Sequence, residues 1–506
     1  MTRGYFWALC VGIALFLPLG SCAQSNTKLP EEVAEIFQEA DASVRLGEPT
    51  APIVALPEAD TEKMLEIVRA GGVPIALGGG INDFNMLRDL AASLDGFILS
   101  DSFARHLDER ISDPDGSSTN PERNADILLL KAIVDRNVPI YGSSELLRQI
   151  NTEQKRFNES YSSIEEFVAA AATFKKAKSL MQRILTIDTH NDEPCEYRHG
   201  ASIGLRQKEI QCSLPKMEEG LVDAAFVVAY QGQGELDEES SAAAVRRCDN
   251  IIDQIYADAA QYSDHCGIAR TEAEVRKLKA AGKKAIFIGI ENGYGIGTNL
   301  ANIKHFRDRG VSYITLCHTG DNAICHTASS KSADSSLGLT PFGKEVIQEM
   351  NDCGMLIDVS HASDATFWDV YRESRAPFVC THSGARAVFS YNRNITDEML
   401  RAIAEKNGTI QVYFVDNFIC WDEKLATIDT MMEHLFHCIK VAGIDHVGIG
   451  TDFDGGGGGP GLNGDNDMVN ITVRLINAGY SDEDIAKLWG GNFMRVLSEV
   501  QALATK

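Results

Sequence analysis

The chain has 506 residues, too many for one ordinary hydrophobic core, so more than one folded domain is expected. Hydrophobic residues make up 44%, which is globular, while 72 acidic against 47 basic residues leave a formal charge of −25. That balance argues against nucleic-acid binding, because no basic stripe is present to meet a phosphate backbone; the surplus of acid serves solubility.

The chain opens as a targeting segment. Arg3 precedes the apolar run Tyr5–Leu19, too short to span a bilayer and suited to a signal-peptide core. Leu19-Gly20-Ser21-Cys22 looks like a bacterial lipobox. The expectation is a lipoprotein signal over 1–22 whose closing Cys22 carries lipid, followed by a polar tether over 23–45. An ordinary secretory cleavage near Ala23 is the alternative. The implied address is the bacterial cell envelope, on its periplasmic or surface face. No later stretch reads as a membrane span. Of the 12 cysteines, Cys317 and Cys380 fall in apolar strand-like runs and read as small buried side chains. Cys195, Cys212, Cys248 and Cys266 are disulfide candidates for an oxidising compartment.

Residues 46–160 alternate strand-like and helix-like runs and predict a smaller α/β layered domain. Its strands are expected at Val73–Leu77, Gly96–Leu99 and Val138–Tyr141, with helices at Thr61–Ala70 and Asn124–Arg136. The runs P-I-A-L-G-G-G, L-D-G-F-I-L-S, N-A-D-I-L-L-L-K-A-I and N-V-P-I-Y-G-S-S-E-L-L resemble class I glutamine amidotransferase-like hydrolases of the γ-glutamyl hydrolase branch. The resemblance implies a nucleophilic cysteine in the last run, where this chain has Ser144. A serine without a general base is a poor nucleophile, so the domain reads as an inactive relic. Residues 161–183 have helical spacing and predict a linker helix.

From residue 184 onward one unit repeats: an apolar strand, a helix, another strand. Strands are expected at Leu185–Asp188, Ala224–Tyr230, Ala285–Ile290, Ser312–Cys317, Met355–Val359, Phe378–Thr381, Thr409–Phe414 and His446–Gly450. Most are continuous apolar runs, as parallel strands buried on both faces require. Helix punctuation lies between them: Thr340-Pro341 with Gly354, Thr396-Asp397-Glu398 with Gly408, and Ser481. Eight such strands over 184–506 predict a (β/α)8 TIM barrel.

Active sites of that fold sit at the carboxyl ends of the strands. The first strand runs into His190 and Asp192, which leave one face of an extended chain because they are two residues apart. Glu291 follows the third strand, His318 the fourth, His361 the fifth, His382 the sixth, and Asp452 and Asp454 the eighth. Of 12 histidines in the chain, four therefore fall at strand ends. Imidazoles and carboxylates in these numbers suit two zinc-type ions with one carboxylate between them. Two such ions can share a hydroxide and polarise a carbonyl, which points to metal-assisted hydrolysis. His318 and Asp452 remain for charge stabilisation and proton transfer.

The runs D-T-H-N-D, G-I-E-N-G, G-V-S-Y-I-T-L-C-H, G-L-T-P-F-G, G-M-L-I-D-V-S-H-A-S-D, T-H-S-G-A-R, R-N-I-T-D-E-M-L, D-H-V-G-I-G-T-D-F-D-G and G-G-N-F together resemble the membrane (renal) dipeptidase family of zinc peptidases. By position, the resemblance implies two Zn2+ per chain. His190 and Asp192 would bind one, His361 and His382 the other, and Glu291 would bridge them. His318 would stabilise the tetrahedral oxyanion, Asp452 would carry the proton from attacking water to leaving amine, and Arg393 would pair with the substrate's free carboxylate. The implied substrates are dipeptides, including those with a D-residue at the carboxyl side. Monomer and homodimer both stay open.

Two loops depart from the family pattern. After His318 the chain reads N-A-I-C-H-T-A-S, without the family's tryptophan, and after Asp454 it carries the glycine run Gly455–Gly459. The extra His326 reads as a solvated loop residue. An amidohydrolase acting on a lactam, lactone or other cyclic amide is the alternative enzyme, although that wider group favours His-x-His and a modified lysine. A catalytically dead, surface-anchored binding protein is the alternative from another class.

Overall fold

In a computed structural model of the chain, the described residues are five short strands between 53 and 161, and residues 164–505 except 208, 333, 335, 423 and 424. The chain divides into two compact units, Met1–Lys176 and Ala177–Lys506.

In the first unit Ile53–Leu56 pairs in parallel with Val73–Ala76, and Phe97–Ile98, Ile140–Tyr141 and Ser160–Tyr161 form a second parallel sheet. Three of these strands lie inside the runs expected from sequence; Ile53–Leu56 and Ser160–Tyr161 are additional. The leader with Cys22, the helices expected at Thr61–Ala70 and Asn124–Arg136, and Ser144 with the amidotransferase-like assignment lie outside the described residues. The linker helix is present as Ile164–Arg183. Its Ala177, Leu180 and Met181 are buried at helical spacing.

The second unit is a nearly closed barrel of eight parallel strands in sequence order. They are β1 Ile187–Asn191, β2 Ala224–Tyr230, β3 Lys284–Glu291, β4 Val311–Thr315, β5 Leu356–Asp358, β6 Val379–Ser383, β7 Thr409–Val412 and β8 Val447–Ile449. A further short strand, Cys266–Ile268, lies parallel along the outside of β3. The chain after β8 closes the barrel against β1. The N–H of Asp192 donates to the Phe453 carbonyl at 2.8 Å, and that of Asp452 to the His190 carbonyl at 3.2 Å.

The barrel is filled from its amino end by aromatic rings. Phe226 of β2 stacks on Phe287 of β3 at 4.3 Å, and Phe493 of the last helix, Asn492–Ala502, meets Phe226 edge-on at 5.1 Å. Burial of each such side chain stabilises the fold by about 1.5–3 kcal/mol. Above them Tyr313 of β4 reaches across the barrel, and Gly289 of β3, its register partner, makes this path available. A Cβ at Gly289 would lie 2.6 Å from the Tyr313 ring.

The helix signals hold in detail. Thr340 accepts from the Gly343 N–H to open Pro341–Cys353, and Gly354 ends that helix at φ +66°. Thr396 and Ser481 cap their helices in the same way. The helix after Thr396 ends earlier than Gly408, at Glu405, and Asn407 takes the left-handed backbone at φ +57°.

Two strand ends differ from expectation in a way that matters for the site. β1 begins later and runs on through His190, and β6 runs on through His382, because their polar side chains find partners across the barrel. The ten described cysteines are all free thiols, so the disulfide candidates Cys195, Cys212, Cys248 and Cys266 do not pair with one another. Cys212, Cys248 and Cys266 are buried, like Cys317 and Cys380.

Candidate metal centre

At the carboxyl end of the barrel, one carboxylate oxygen is approached by four imidazoles. Glu291 Oε1 lies 3.1 Å from His361 Nε2, 3.5 Å from His382 Nε2, 3.7 Å from His190 Nε2 and 3.9 Å from His318 Nε2. Asp192 Oδ2 stands 3.5 Å from the same His190 Nε2. Three overlapping groups are tight enough to hold a metal ion: His190, Glu291 and His382; Glu291, His318 and His361; and His190, Asp192 and Asp452. The ligand-type side chains leave the ends of β1, β3, β4, β5, β6 and β8 or the turns after them, His190 and Asp192 both from β1, so the barrel ladder fixes their spacing.

The hydrogen-bond network decides which ring nitrogen faces the centre. Tyr313 donates its only proton to the Thr189 carbonyl at 3.0 Å, so its oxygen accepts from His190 Nδ1–H at 2.9 Å. His190 Nε2 is then left as a bare lone pair, buried and without a hydrogen-bond partner. Thr381 works likewise. Its hydroxyl donates to Asp358 Oδ2 at 2.7 Å and accepts from His382 Nδ1–H at 3.0 Å, which turns His382 Nε2 toward Glu291. A ligand imidazole needs this kind of partner on its other nitrogen. The donor set therefore fits zinc-type ions. The carboxylate Asp358 is itself buried and takes further bonds from the Ser360 and Thr381 N–H groups, both at 2.9 Å.

Charge follows the same arrangement. Burial works to raise the Glu291 carboxyl, yet His190 and then His318 hold it well below its ordinary range. Burial works to lower His190, yet Glu291 and Asp192 carry it well above its ordinary value, because the two carboxylates favour positive charge at Nε2, where a bound cation would take the place of a proton. His361 and His382 are pushed down by burial, so each keeps a lone pair to offer. Burial raises Asp452.

Strained backbone is concentrated here. Asn292, His361, Asp452 and Asp454 all have positive φ, between 62° and 76°. Such positions cost about 1–3 kcal/mol each and persist where the surroundings over-determine them. Asn292 follows Glu291 directly, and its amide donates to the Gln231 carbonyl at 2.9 Å.

Arg393 is 4% exposed and lies over the Tyr413 ring at 5.7 Å. Nη2 donates to the His382 carbonyl at 3.3 Å, and Nε has no partner, so the cation has spare donors beside the centre. Its loop is held by His434, which sequence reasoning did not single out. The Ala385 N–H donates to His434 Nδ1 at 2.9 Å, while Nε2–H donates to the Ile419 carbonyl at 3.1 Å. The extra His326 pairs with Asp321 at 3.1 Å in a part-buried loop and belongs to none of the three ligand groups.

The two unusual loops have their own supports. Asn322 organises the tryptophan-free loop, accepting from the Ile324 and Cys325 N–H groups and donating to the Leu316 carbonyl. Gln211 clamps the glycine run, donating to the Gly457 carbonyl at 2.8 Å and accepting from the Asp454 N–H at 2.8 Å. In return both carboxylate oxygens of Asp454 accept, from the Gln211 and Cys212 N–H groups. Asp454 therefore ties two loops together. Tyr313, Asp358, His434 and Gln211 carried no local signal, since each matters through a partner remote in sequence; Thr381 stands next to His382, but its proton is directed by the remote Asp358.

Barrel and site together define a metal-dependent hydrolase. The model of the membrane dipeptidases, peptidase family M19, matches residues 174–506. The chain belongs to that family, and the resemblance read from its motifs is borne out. It is 30% identical over 296 residues to the dipeptidase tcpJ of Claviceps purpurea (strain 20.1), spanning 58% of this chain and 69% of that one. The probable dipeptidase PvdM from Pseudomonas aeruginosa superposes with a TM-score of 0.61 at 26% identity, over 66% of this chain and 99% of that one. The dipeptidase AC, a metallo peptidase of family M19, does so with a TM-score of 0.58 at 26% identity, over 63% and 99%.

Proposed function

We propose that this chain hydrolyses dipeptides, including those with a D-residue at the carboxyl side, at two zinc ions bridged by Glu291. The observation that carries the reading is the convergence of the His190, His361 and His382 Nε2 atoms on Glu291 Oε1 at 3.1–3.7 Å. His190 and Asp192 would hold one ion, and His361 and His382 the other. Bound there, the ions supply Lewis acidity at the scissile carbonyl and lower the proton affinity of water. His318 donates to the developing oxyanion. Asp452, whose carboxyl is raised by burial, takes the proton of the attacking water and passes it to the leaving amine. Arg393 takes the substrate's free carboxylate bidentately, which is the reason for dipeptides over cyclic amides.

The test is metal analysis joined to a dipeptide panel containing L,L and L,D members. Close to two equivalents of zinc and turnover of the panel are expected. Replacing Glu291 by Gln should lower both together, because a neutral amide bridges poorly; full metal and activity in that variant would remove Glu291 from its role. The Leu19–Cys22 pattern supports a further proposal, attachment to the bacterial envelope through lipid on Cys22. Fatty-acid labelling that survives Cys22→Ala would refute it.

A further inference from the structure

His318 is ambiguous as it stands. With Glu291 and His361 it forms one of the three groups tight enough to bind a metal ion, yet oxyanion stabilisation needs a donor at the same nitrogen. One nitrogen cannot do both. A ring nitrogen that carries a proton has no lone pair for a cation, and one that binds a cation has no proton for an oxyanion.

The contact that resolves this comes from β2. Tyr230, its last residue, is the register partner of Glu291 in β3, so the sheet ladder fixes it beside the centre. Its backbone is locked further by the next residue, whose N–H donates to the Glu291 carbonyl at 2.9 Å. From there the Tyr230 ring meets the His318 ring edge-on at 4.9 Å, and its hydroxyl lies 3.4 Å from Nδ1. No other side-chain hydrogen bond of this hydroxyl is formed among the described residues. On the other side of the ring Nε2 faces Glu291 Oε1 at 3.9 Å, and Thr327 donates to the His318 carbonyl, fixing the backbone.

We infer that Tyr230 is a positioning residue that makes His318 a hydrogen-bond donor and keeps it from acting as a metal ligand. By donating its O–H to Nδ1, Tyr230 places the imidazole proton on Nε2, the nitrogen that looks into the site. His190 and His382 are set the opposite way. Tyr313 and Thr381 accept from their Nδ1–H groups, and this bares Nε2 for a metal. Opposite hydroxyl roles thus sort three imidazoles around one carboxylate into two ligands and one donor. The inference rests on the dipeptidase reading of this site.

The experiment is a double-mutant cycle of Tyr230→Phe and His318→Asn in the full chain, with dipeptide kinetics and bound zinc measured for each variant. Tyr230→Phe keeps the ring and should lower kcat by ~10–100-fold, the usual effect of removing such a supporting partner, with KM and zinc content unchanged. In the His318→Asn background the same substitution should cause no further loss, because the hydroxyl acts only through that ring. A phosphinate dipeptide mimic, which presents a tetrahedral oxyanion, should lose affinity for Tyr230→Phe by the same factor as kcat. Wild-type turnover with Tyr230→Phe at the wild-type kcat would overturn the inference alone. So would zinc loss in Tyr230→Phe, or additive losses in the cycle, since either would give the hydroxyl another task. A wild-type chain that loads zinc but cleaves no dipeptide would instead overturn the reading on which the inference rests.

Discussion

Tyr313→Phe removes one oxygen from the barrel and leaves the ring in place, packed 5.5 Å from Phe226 and over Gly289. The lost oxygen holds two bonds, one to the Thr189 carbonyl and one from His190 Nδ1–H. Thr381 Oγ1, 3.3 Å from the same Nδ1, can take up part of the second. Leaving one buried group unpaired costs about 1–3 kcal/mol, so chelator-treated protein should lose that much stability. His190, a proposed ligand, also loses the partner that fixes its tautomer, which typically weakens metal binding ~10–100-fold. Expressed as free energy, that is about 1.4–2.7 kcal/mol. Competition with a chromophoric chelator reads the affinity, and urea unfolding of the chelated protein reads the stability. Lower stability at wild-type metal affinity would refute the tautomer argument, because the hydroxyl would then be a packing element only.

Other expectations are more direct. Gly455 stands against the carboxylates of Asp192 and Asp452, so Gly455→Ala should displace one of them and cost metal occupancy, with strain of about 1–3 kcal/mol in the melt. His434 is fully buried, and burial pushes it down to about 4 from an ordinary 6.5. Its contribution is thus present above pH 6.5 and is lost as pH falls toward 4, about 3 kcal/mol across the window. Chelated His434→Gln should therefore show a flatter dependence of unfolding free energy on pH than wild type; equal slopes would refute this. A chain starting at Ala177, where the second unit begins, should fold, bind metal and cleave dipeptides, and Ser144→Ala in the full chain should change no hydrolysis. A folded but metal-free truncated chain would show that the first unit completes the site.

The eight barrel strands were legible because strands buried on both faces must be continuous apolar runs, and that property is local. His190, Asp192, Glu291, His318, His361 and His382 were legible for the same reason, as chemistry-bearing residues standing where such runs stop. The cysteines were not. Their spacing allowed disulfides, and only the fold shows them to be free thiols. The ends of β1 and β6 were misplaced because a polar residue looks like a strand end until a partner across the barrel satisfies it. Which nitrogen of His190 faces the centre was decided by tertiary structure, whereas His382 takes its partner from the preceding Thr381. Tyr313 meets His190 across 123 positions of chain, and it can do so only because Gly289, on the neighbouring strand, has no side chain in the way. A ligand's identity is written in one residue, whereas its tautomer and aim are set by hydroxyls that closure of the barrel brings to it.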